Sequence, residues 1–394
     1  MDSSKSPFCY MDNAATSWPK PPTVLAAMHS FYTELGVAAE RSGSSRAWKV
    51  DRAIQKCRHQ IAGILSAQRD ASIVFGYNGT DVLNLALHGV LNPGDHVVAT
   101  VAEHNSVLRP LEYLRQHMGI SYSLAECDSQ GVVCLESVEK LIHSATRLMC
   151  LTHVSNVTGA VQPAKEMGRI CREHDLLYLL DAAQSVGHFP IDVTEIGCDL
   201  LAASGHKGLL GPLATGFLFL SDRAAATIRP LRQGGTGTQS ETVEQPSELP
   251  YRLETGNLNS AGIMGLSAGV GYVSGMGWGP IQDHELKLSR QLIDGLSAID
   301  SVRLIGHQSS LRTAIVSFEI EGTDPNQVAG ILDSTFGIQV RAGLHCAPKM
   351  HESLGTLASG GTIRVSPGMF NTEQDVQNVV SAIQDITATA KHGI

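Results

Sequence analysis

The chain has 394 residues, of which 43% are hydrophobic and 17% charged, an ordinary globular composition with ample apolar material for a large core. Its net charge of −9 excludes nucleic acid or an anionic membrane as the main partner, since both select basic surfaces. The first residues, MDSSKSPFCYMDNAATSWPKPP, hold no basic stretch followed by an apolar run, and no window approaches the roughly 18 apolar residues of a membrane span. The eight cysteines form no Cys-x-x-Cys pair and are too sparse for a disulfide scaffold. A reducing, cytoplasmic setting is expected, with most thiols buried and inert. The length predicts one large and one smaller domain.

Taken in order, Asp51 to Leu65 reads as an amphipathic helix and Ser72 to Phe75 as a strand. YNGTD then turns the chain into a helix over Val82 to Leu91. Asn92-Pro93-Gly94-Asp95 is a turn before a strand over His96 to Thr100. Leu148 to Thr152 is a strand, Ala164 to His174 a helix, and Leu176 to Leu180 a strand that ends on Asp181. Leu200 to Ser204 and Gly216 to Leu220 are further strands. Strands separated by helices imply a mostly parallel sheet with helices on both faces, an α/β fold. Past residue 260 the pattern changes. A glycine-rich helix, Ile263 to Gly277, leads into a helix around His284 to Leu296. Strands at Thr313 to Ile320 and Ile338 to Ala342 and a last helix from Glu373 to Ile383 read as a smaller α+β domain, with the N-terminal segment packed on it.

Four places carry chemistry. Asp181 stands at the carboxyl end of a buried strand, where α/β sheets bind ligands. Lys207 follows the run Leu200 to Ala203 by a short Ser-Gly-His step, with glycines on both sides. Singly, these read equally as a cap-like aspartate and a solvated lysine. Together they suit a pyridoxal phosphate (PLP) site, which needs a lysine for the Schiff base and a carboxylate to keep the pyridine nitrogen protonated. Gly79 and Thr80 lie where a strand turns into a helix, a place for phosphate or simply for helix capping by Thr80 or Asp81. No Walker loop or G-x-G-x-x-G fingerprint is present. Cys346 sits in RAGLHCAPKMHESLG, a loop-like stretch that makes it a better candidate for exposure than the other seven thiols. His345, Arg341 and Lys349 would favour its thiolate where they face it. Arg364 is a lone cation in the strand-like run GTIRVSP. It needs an anionic partner, either a ligand or a structural ion pair.

Read together, these segments resemble a known family almost end to end: YMDNAATSWP, NGTDVLN, EHNSVLRP, THVSNVTG, DAAQSVGH, SGHKGLLGP, GGTG, LETGNLN, RAGLHCAP and TIRVSPGMFNT. The chain resembles the class V aminotransferase family, and within it the cysteine desulfurase and selenocysteine lyase group. The R-x-G-x-H-C-A loop is similar to that of the second desulfurase group. The resemblance implies fold type I of the PLP-dependent transferases. A large domain over residues 20–260 would hold a mostly parallel seven-stranded sheet, and residues 1–19 with 261–394 would form the small domain. It implies PLP held by Lys207, with Asp181 on the ring nitrogen, His104 stacked on the ring, and Asn156 and Gln184 on its hydroxyl side. Gly79, Thr80, Ser204 and His206 would hold the phosphate, with Asn257 reaching it from the second subunit of a homodimer. Arg364, assisted by Asn156, would bind the substrate carboxylate, and Cys346 would accept the sulfur. No metal is implied.

Three positions depart from the family pattern. Ser44 stands where relatives usually have histidine, Asn257 where they have threonine, and GPLATG replaces a more glycine-rich stretch. The implied reaction converts L-cysteine to alanine and a persulfide on Cys346, which passes to an acceptor protein or thiol. A selenocysteine lyase or C–S lyase on L-selenocysteine or L-cysteine is the nearest alternative. A class V aminotransferase has no use for the thiol, and a non-catalytic sulfur relay has no use for Lys207, Asp181 and His104.

Overall fold

The computed structural model describes residues 8–39, 43–306, 308 and 311–391. Seven strands form the main sheet: β1 Ile73–Gly76, β2 His96–Thr100, β3 Ser121–Ala125, β4 Thr146–Thr152, β5 Leu177–Asp181, β6 Leu200–Ser204 and β7 Gly216–Leu220. Their spatial order is β1-β7-β6-β5-β4-β2-β3. Only β7 runs against the others. Helix-sized connections return each parallel strand to the same end, so the loops after β1, β2, β4, β5 and β6 gather at one edge.

Both faces of the sheet are covered, which explains why its strands read as unbroken apolar runs rather than alternating ones. On one face Val98, Met149, Leu151, Tyr178, Leu180 and Leu201 pack with Val50, Ile54 and Ile61 of the helix Ser45–Ile64. On the other, Val97, Ala99, Leu148, Cys150, Leu177 and Leu179 meet Leu83 and Leu87 of the helix Gly79–Val90. Neighbouring residues alternate strictly between the two cores, as a pleated strand requires.

A second sheet is antiparallel and smaller, built from Val302–Ile305, Val316–Ile320, Arg341–Gly343 and Thr362–Val365. Its core joins Val316, Phe318, Ile363 and Val365 to Leu288, Leu292 and Leu296 of the helix Trp278–Ser297, to Val379 and Ile383, and to Met11 of the N-terminal segment. The helix Ser260–Met276 departs from the division drawn at residue 260. Its Ile263, Leu266 and Val270 pack with Val50 and Ile54 in the core of the large sheet.

Element starts differ from the sequence reading for local reasons. The helix expected from Asp51 begins at Ser45, because the hydroxyl of Ser44 accepts a hydrogen bond from the Ala47 amide at 3.2 Å and caps it. Ser44, the departure from the family pattern, is therefore a helix cap. The helix expected from Val82 begins at Gly79, capped by Asn78 on the Asp81 amide at 2.9 Å rather than by Thr80 or Asp81. No helix among the described residues is long and apolar enough to cross a membrane.

Candidate active site

The loops at the carboxyl edge enclose a cavity of about 640 Å³. Gly79, Thr80, His104, Asn156, Asp181, Gln184, Ser204, His206 and Lys207 all line it. Nine of the positions expected from the sequence thus come together from five separate loops. Arg364, Cys346 and Asn257 are not among the lining residues. Asn257 is exposed on the loop before the helix Ser260–Met276, so in a single chain it does not reach the cavity.

The side-chain amine of Lys207 makes no hydrogen bond among the described residues. Burial pushes its amine down to about 8, and Arg364 and Arg341 add to the drop while Asp181 and Asp12 oppose it. Its turn is clasped from outside. The carbonyl of His206 accepts from the Lys20 amine at 2.8 Å, from the Ser17 amide and hydroxyl at 3.1 Å each, and from the Thr16 hydroxyl at 3.2 Å. Ser17 also donates to the Lys207 carbonyl at 2.9 Å. Sequence reasoning missed this clasp. The segment AATSWPK carried resemblance but no local signal of its target.

Asp181 is 7% exposed, and its Oδ1 accepts from the Ala183 amide at 3.0 Å. Burial raises its pKa, against the lowering effects of the Ala183 amide and Lys207. His104 caps the helix Asn105–Met118. Its Nδ1 accepts from the Ser106 amide at 3.0 Å, which fixes the ring proton on Nε2. Burial first, then Lys207 and Arg341, push its pKa down to about 4. The ring is a neutral, flat cover.

Beside it the Gly79 amide donates to Ser204 Oγ at 3.1 Å, and Thr80 Oγ1 lies 2.7 Å from Ser106 Oγ. His206 Nδ1 is buried with no protein partner, although a buried ring nitrogen demands one. A Cβ on Gly79 would stand 2.6 Å from Ser204 Oγ, so this wall admits only glycine without a shift. An amide at a helix start, two hydroxyls and an imidazole line the same cavity. Such a set fits a phosphate.

Asn156 and Gln184 line the cavity and each spend one amide donor on the protein itself. Asn156 Nδ2 donates to the His345 carbonyl at 2.6 Å, and Gln184 Nε2 to the Ala14 carbonyl at 2.8 Å. Arg364 is 1% exposed and has its structural anion: its guanidinium donates to Asp12 Oδ1 at 2.6 Å and to the Asn156 carbonyl at 3.1 Å. Its Nε remains buried and unpaired.

Cys346 is half-buried, as are Cys9, Cys127 and Cys134, so exposure alone does not single it out. Burial pushes the Cys9 and Cys127 thiols up to about 12 and raises Cys134 as well. What distinguishes Cys346 is its setting. Arg341 donates to its sulfur at 3.4 Å. Of the three expected cations only Arg341 faces it. His345 is turned inward onto Thr362 Oγ1 at 2.9 Å, and burial holds its pKa well below the ordinary value, so it is neutral. Lys349 is paired with Glu352 at 2.7 Å. His345 and Cys346 both adopt positive φ, 46° and 60°, a conformation non-glycine residues rarely take. The loop is held there from the side of the cavity. The Cys346 carbonyl accepts from the Asn105 amide at 2.7 Å, directly after His104, and the His345 carbonyl from Asn156.

A mostly parallel sheet with a buried lysine, aspartate and neutral histidine at its carboxyl edge has the fold of the type I PLP-dependent transferases. The family model for class V aminotransferases matches residues 9–379, and the chain belongs to that family. A probable cysteine desulfurase of Methanothermobacter thermautotrophicus is 37% identical over 96% of this chain and 94% of its own length. A cysteine desulfurase of Yersinia pseudotuberculosis is 31% identical over 96% of this chain and 93% of its own. The apo structure of a cysteine desulfurase from Thermococcus onnurineus superposes with a TM-score of 0.89 at 31% identity, covering 99% of this chain and all of that one.

Proposed function

We propose that the chain is a cysteine desulfurase that uses PLP and stores the removed sulfur as a persulfide on Cys346. The observation that carries this reading is the hydrogen bond from Arg341 to the Cys346 sulfur, on a loop tied by Asn105 and Asn156 to the cavity that holds Lys207 and Asp181. The Gly79 wall, with Thr80 and Ser204 beside it, suits a phosphate, and Lys207 and Asp181 line the same cavity and are electrostatically coupled. When bound, the cofactor supplies an electron sink for charge released at the substrate α carbon.

The residues divide the remaining work. Lys207 would hold the cofactor and, once released, would move the proton at the substrate α carbon, a task suited to an amine whose pKa lies at about 8. Asp181 keeps the ring nitrogen protonated. His104 covers the ring and excludes water. Gly79, Thr80, Ser204 and His206 hold the phosphate. Arg364 binds the substrate carboxylate through the donor capacity Asp12 leaves free. The Cys346 sulfur attacks the cysteine sulfur, forming an S–S bond as the C–S bond breaks. The substrate β carbon takes a proton and the α carbon regains one from Lys207, which gives alanine. A thiol or protein acceptor then removes the sulfur. Measuring alanine from L-cysteine, with and without a reducing thiol, tests the reaction directly. No alanine under either condition would refute it.

Asp181→Asn is expected to lower turnover by about a hundredfold or more while leaving cofactor bound through the phosphate and Lys207, because a neutral amide no longer holds the ring proton. Near-normal rates in that variant would reduce Asp181 to a structural residue.

The assembly is proposed to be a homodimer with both sites at the interface. Leu213 lines the cavity yet is 65% exposed, and Asn257 lies exposed beyond its reach. A second chain would cover the first and bring in the second. Light scattering should give twice the 42.0 kDa chain mass, and a fully active species of single-chain mass would contradict it.

A further inference from the structure

The Lys207 turn is braced from behind by a helix of the smaller domain. Gly187 and Gly208 are in backbone contact: a Cβ on Gly187, at φ +99°, would stand 2.2 Å from the Gly208 carbonyl carbon. His188 follows directly. A Cβ on Gly208 would meet its Cδ2 and Nε2 at 2.9 Å each, so the imidazole lies flush against the residue after Lys207. The opposite ring nitrogen, Nδ1, is 2.8 Å from Glu285 Oε2. Glu285 is 5% exposed and belongs to the helix Trp278–Ser297. One turn earlier on that helix, Ile281 packs with Leu210, whose amide bonds the Lys207 carbonyl at 2.9 Å. Residues 281 and 285 share one helix face. That face therefore meets the lysine turn directly through Ile281 and Leu210, and indirectly through His188.

Glu285 favours the charged form of this histidine. Burial favours its neutral form, but the charge and hydrogen bond of Glu285 outweigh that and hold its pKa above the ordinary value, with Lys207 the one cation acting against it. A charge-assisted hydrogen bond from a half-buried imidazole to a buried carboxylate is stronger than a neutral one. The same short segment, residues 181–188, also carries Asp181 and Gln184, so a shift of His188 is passed to the ring partner as well as to the lysine.

We propose that His188 and Glu285 form a positioning pair that fixes the Lys207 turn, coupling the smaller domain to the amine that bears the cofactor. Neither residue lines the cavity, so neither is catalytic. The inference rests on the reading of Lys207 as the cofactor lysine, but the brace itself is a property of the chain alone.

The test is hydrogen exchange on the full-length Glu285→Gln protein without added cofactor, followed by kinetics after PLP is supplied. Glutamine keeps the volume and a hydrogen bond and removes the charge. Amides of residues 205–211 are expected to exchange about tenfold faster than in the parent, while those of β4 and β5 keep their protection. With PLP, kcat for L-cysteine should fall about tenfold or more with little change in KM, the signature of a misplaced group rather than lost binding. His188→Gln should give the same pattern, and it serves as the reporter if Glu285→Gln does not fold. Unchanged exchange at 205–211, or a uniform rise across the strands, overturns the proposal and leaves the pair merely structural. A protein that shows the local exchange effect but never binds PLP overturns the cofactor reading and leaves the brace standing.

Discussion

Lys207→Ala is expected to abolish both the visible absorbance of bound cofactor and all turnover. The argument begins with the amine's protonation. A lysine at its ordinary value near 10.4 is neutral in only about one molecule in two thousand at pH 7. Burial brings Lys207 down to about 8, which leaves about a tenth of it neutral and able to attack an aldehyde. The nitrogen makes no hydrogen bond to the described residues and lines the cavity with Asp181, so it is unspent. Lys20 is the instructive rival. Burial brings it down to about 8 as well, and it lies beside the His206 carbonyl. Its amine, however, already donates to Ser17 Oγ at 2.7 Å and to that carbonyl at 2.8 Å. It builds the turn instead of bearing a ligand. After borohydride reduction, mass spectrometry should find PLP on the peptide that contains Lys207. Finding it on Lys20 or any other lysine would overturn the assignment, as would residual turnover in the alanine variant.

Much of this site was legible in the sequence, because strand ends can be read from apolar runs. Leu200–Ser204 and His96–Thr100 match the observed strands residue for residue, and a lysine or histidine a few positions past such an end must lie on the ligand-binding edge. What lay hidden depends on long-range pairing. Asp12 and Arg364 are 352 positions apart, so an ion pair between them leaves no local trace. The clasp of Thr16, Ser17 and Lys20 on the lysine turn joins segments about 190 positions apart for the same reason. The helix Asn105–Met118 was missed because Pro110 sits inside it, and proline argues against helix in sequence reading. His345 shows the opposite failure. Its place beside Cys346 suggested an electrostatic role, but the positive φ at both residues turns the imidazole inward onto Thr362.

Cys346→Ser should eliminate alanine formation from L-cysteine while leaving cofactor bound. The structure separates the two functions. Apart from Asn257, every residue proposed to hold the cofactor lines the cavity, whereas Cys346 stands on a neighbouring loop, joined to it by the Asn105 and Asn156 hydrogen bonds to backbone carbonyls. Those bonds do not involve the side chain, so serine preserves the loop and its left-handed backbone. What serine removes is the sulfur against which Arg341 lies. An alcohol oxygen is a poor nucleophile toward sulfur and is scarcely ionised near neutral pH, so the S–S bond-forming step has no substitute. The other half-buried thiols cannot take over. Cys9 and Cys127, pushed up to about 12, supply almost no thiolate at neutral pH. The expected loss in alanine formation is therefore about a hundredfold or more, with the cofactor spectrum unchanged. In the parent protein, brief reaction with L-cysteine should add one sulfur atom to the peptide containing Cys346. With L-selenocysteine the serine variant should retain much of any activity the parent has, because selenium leaves more readily and needs no covalent acceptor. Normal alanine formation from L-cysteine in Cys346→Ser, or an added sulfur on another peptide, would make Cys346 a bystander and turn the chain into a lyase of the same fold.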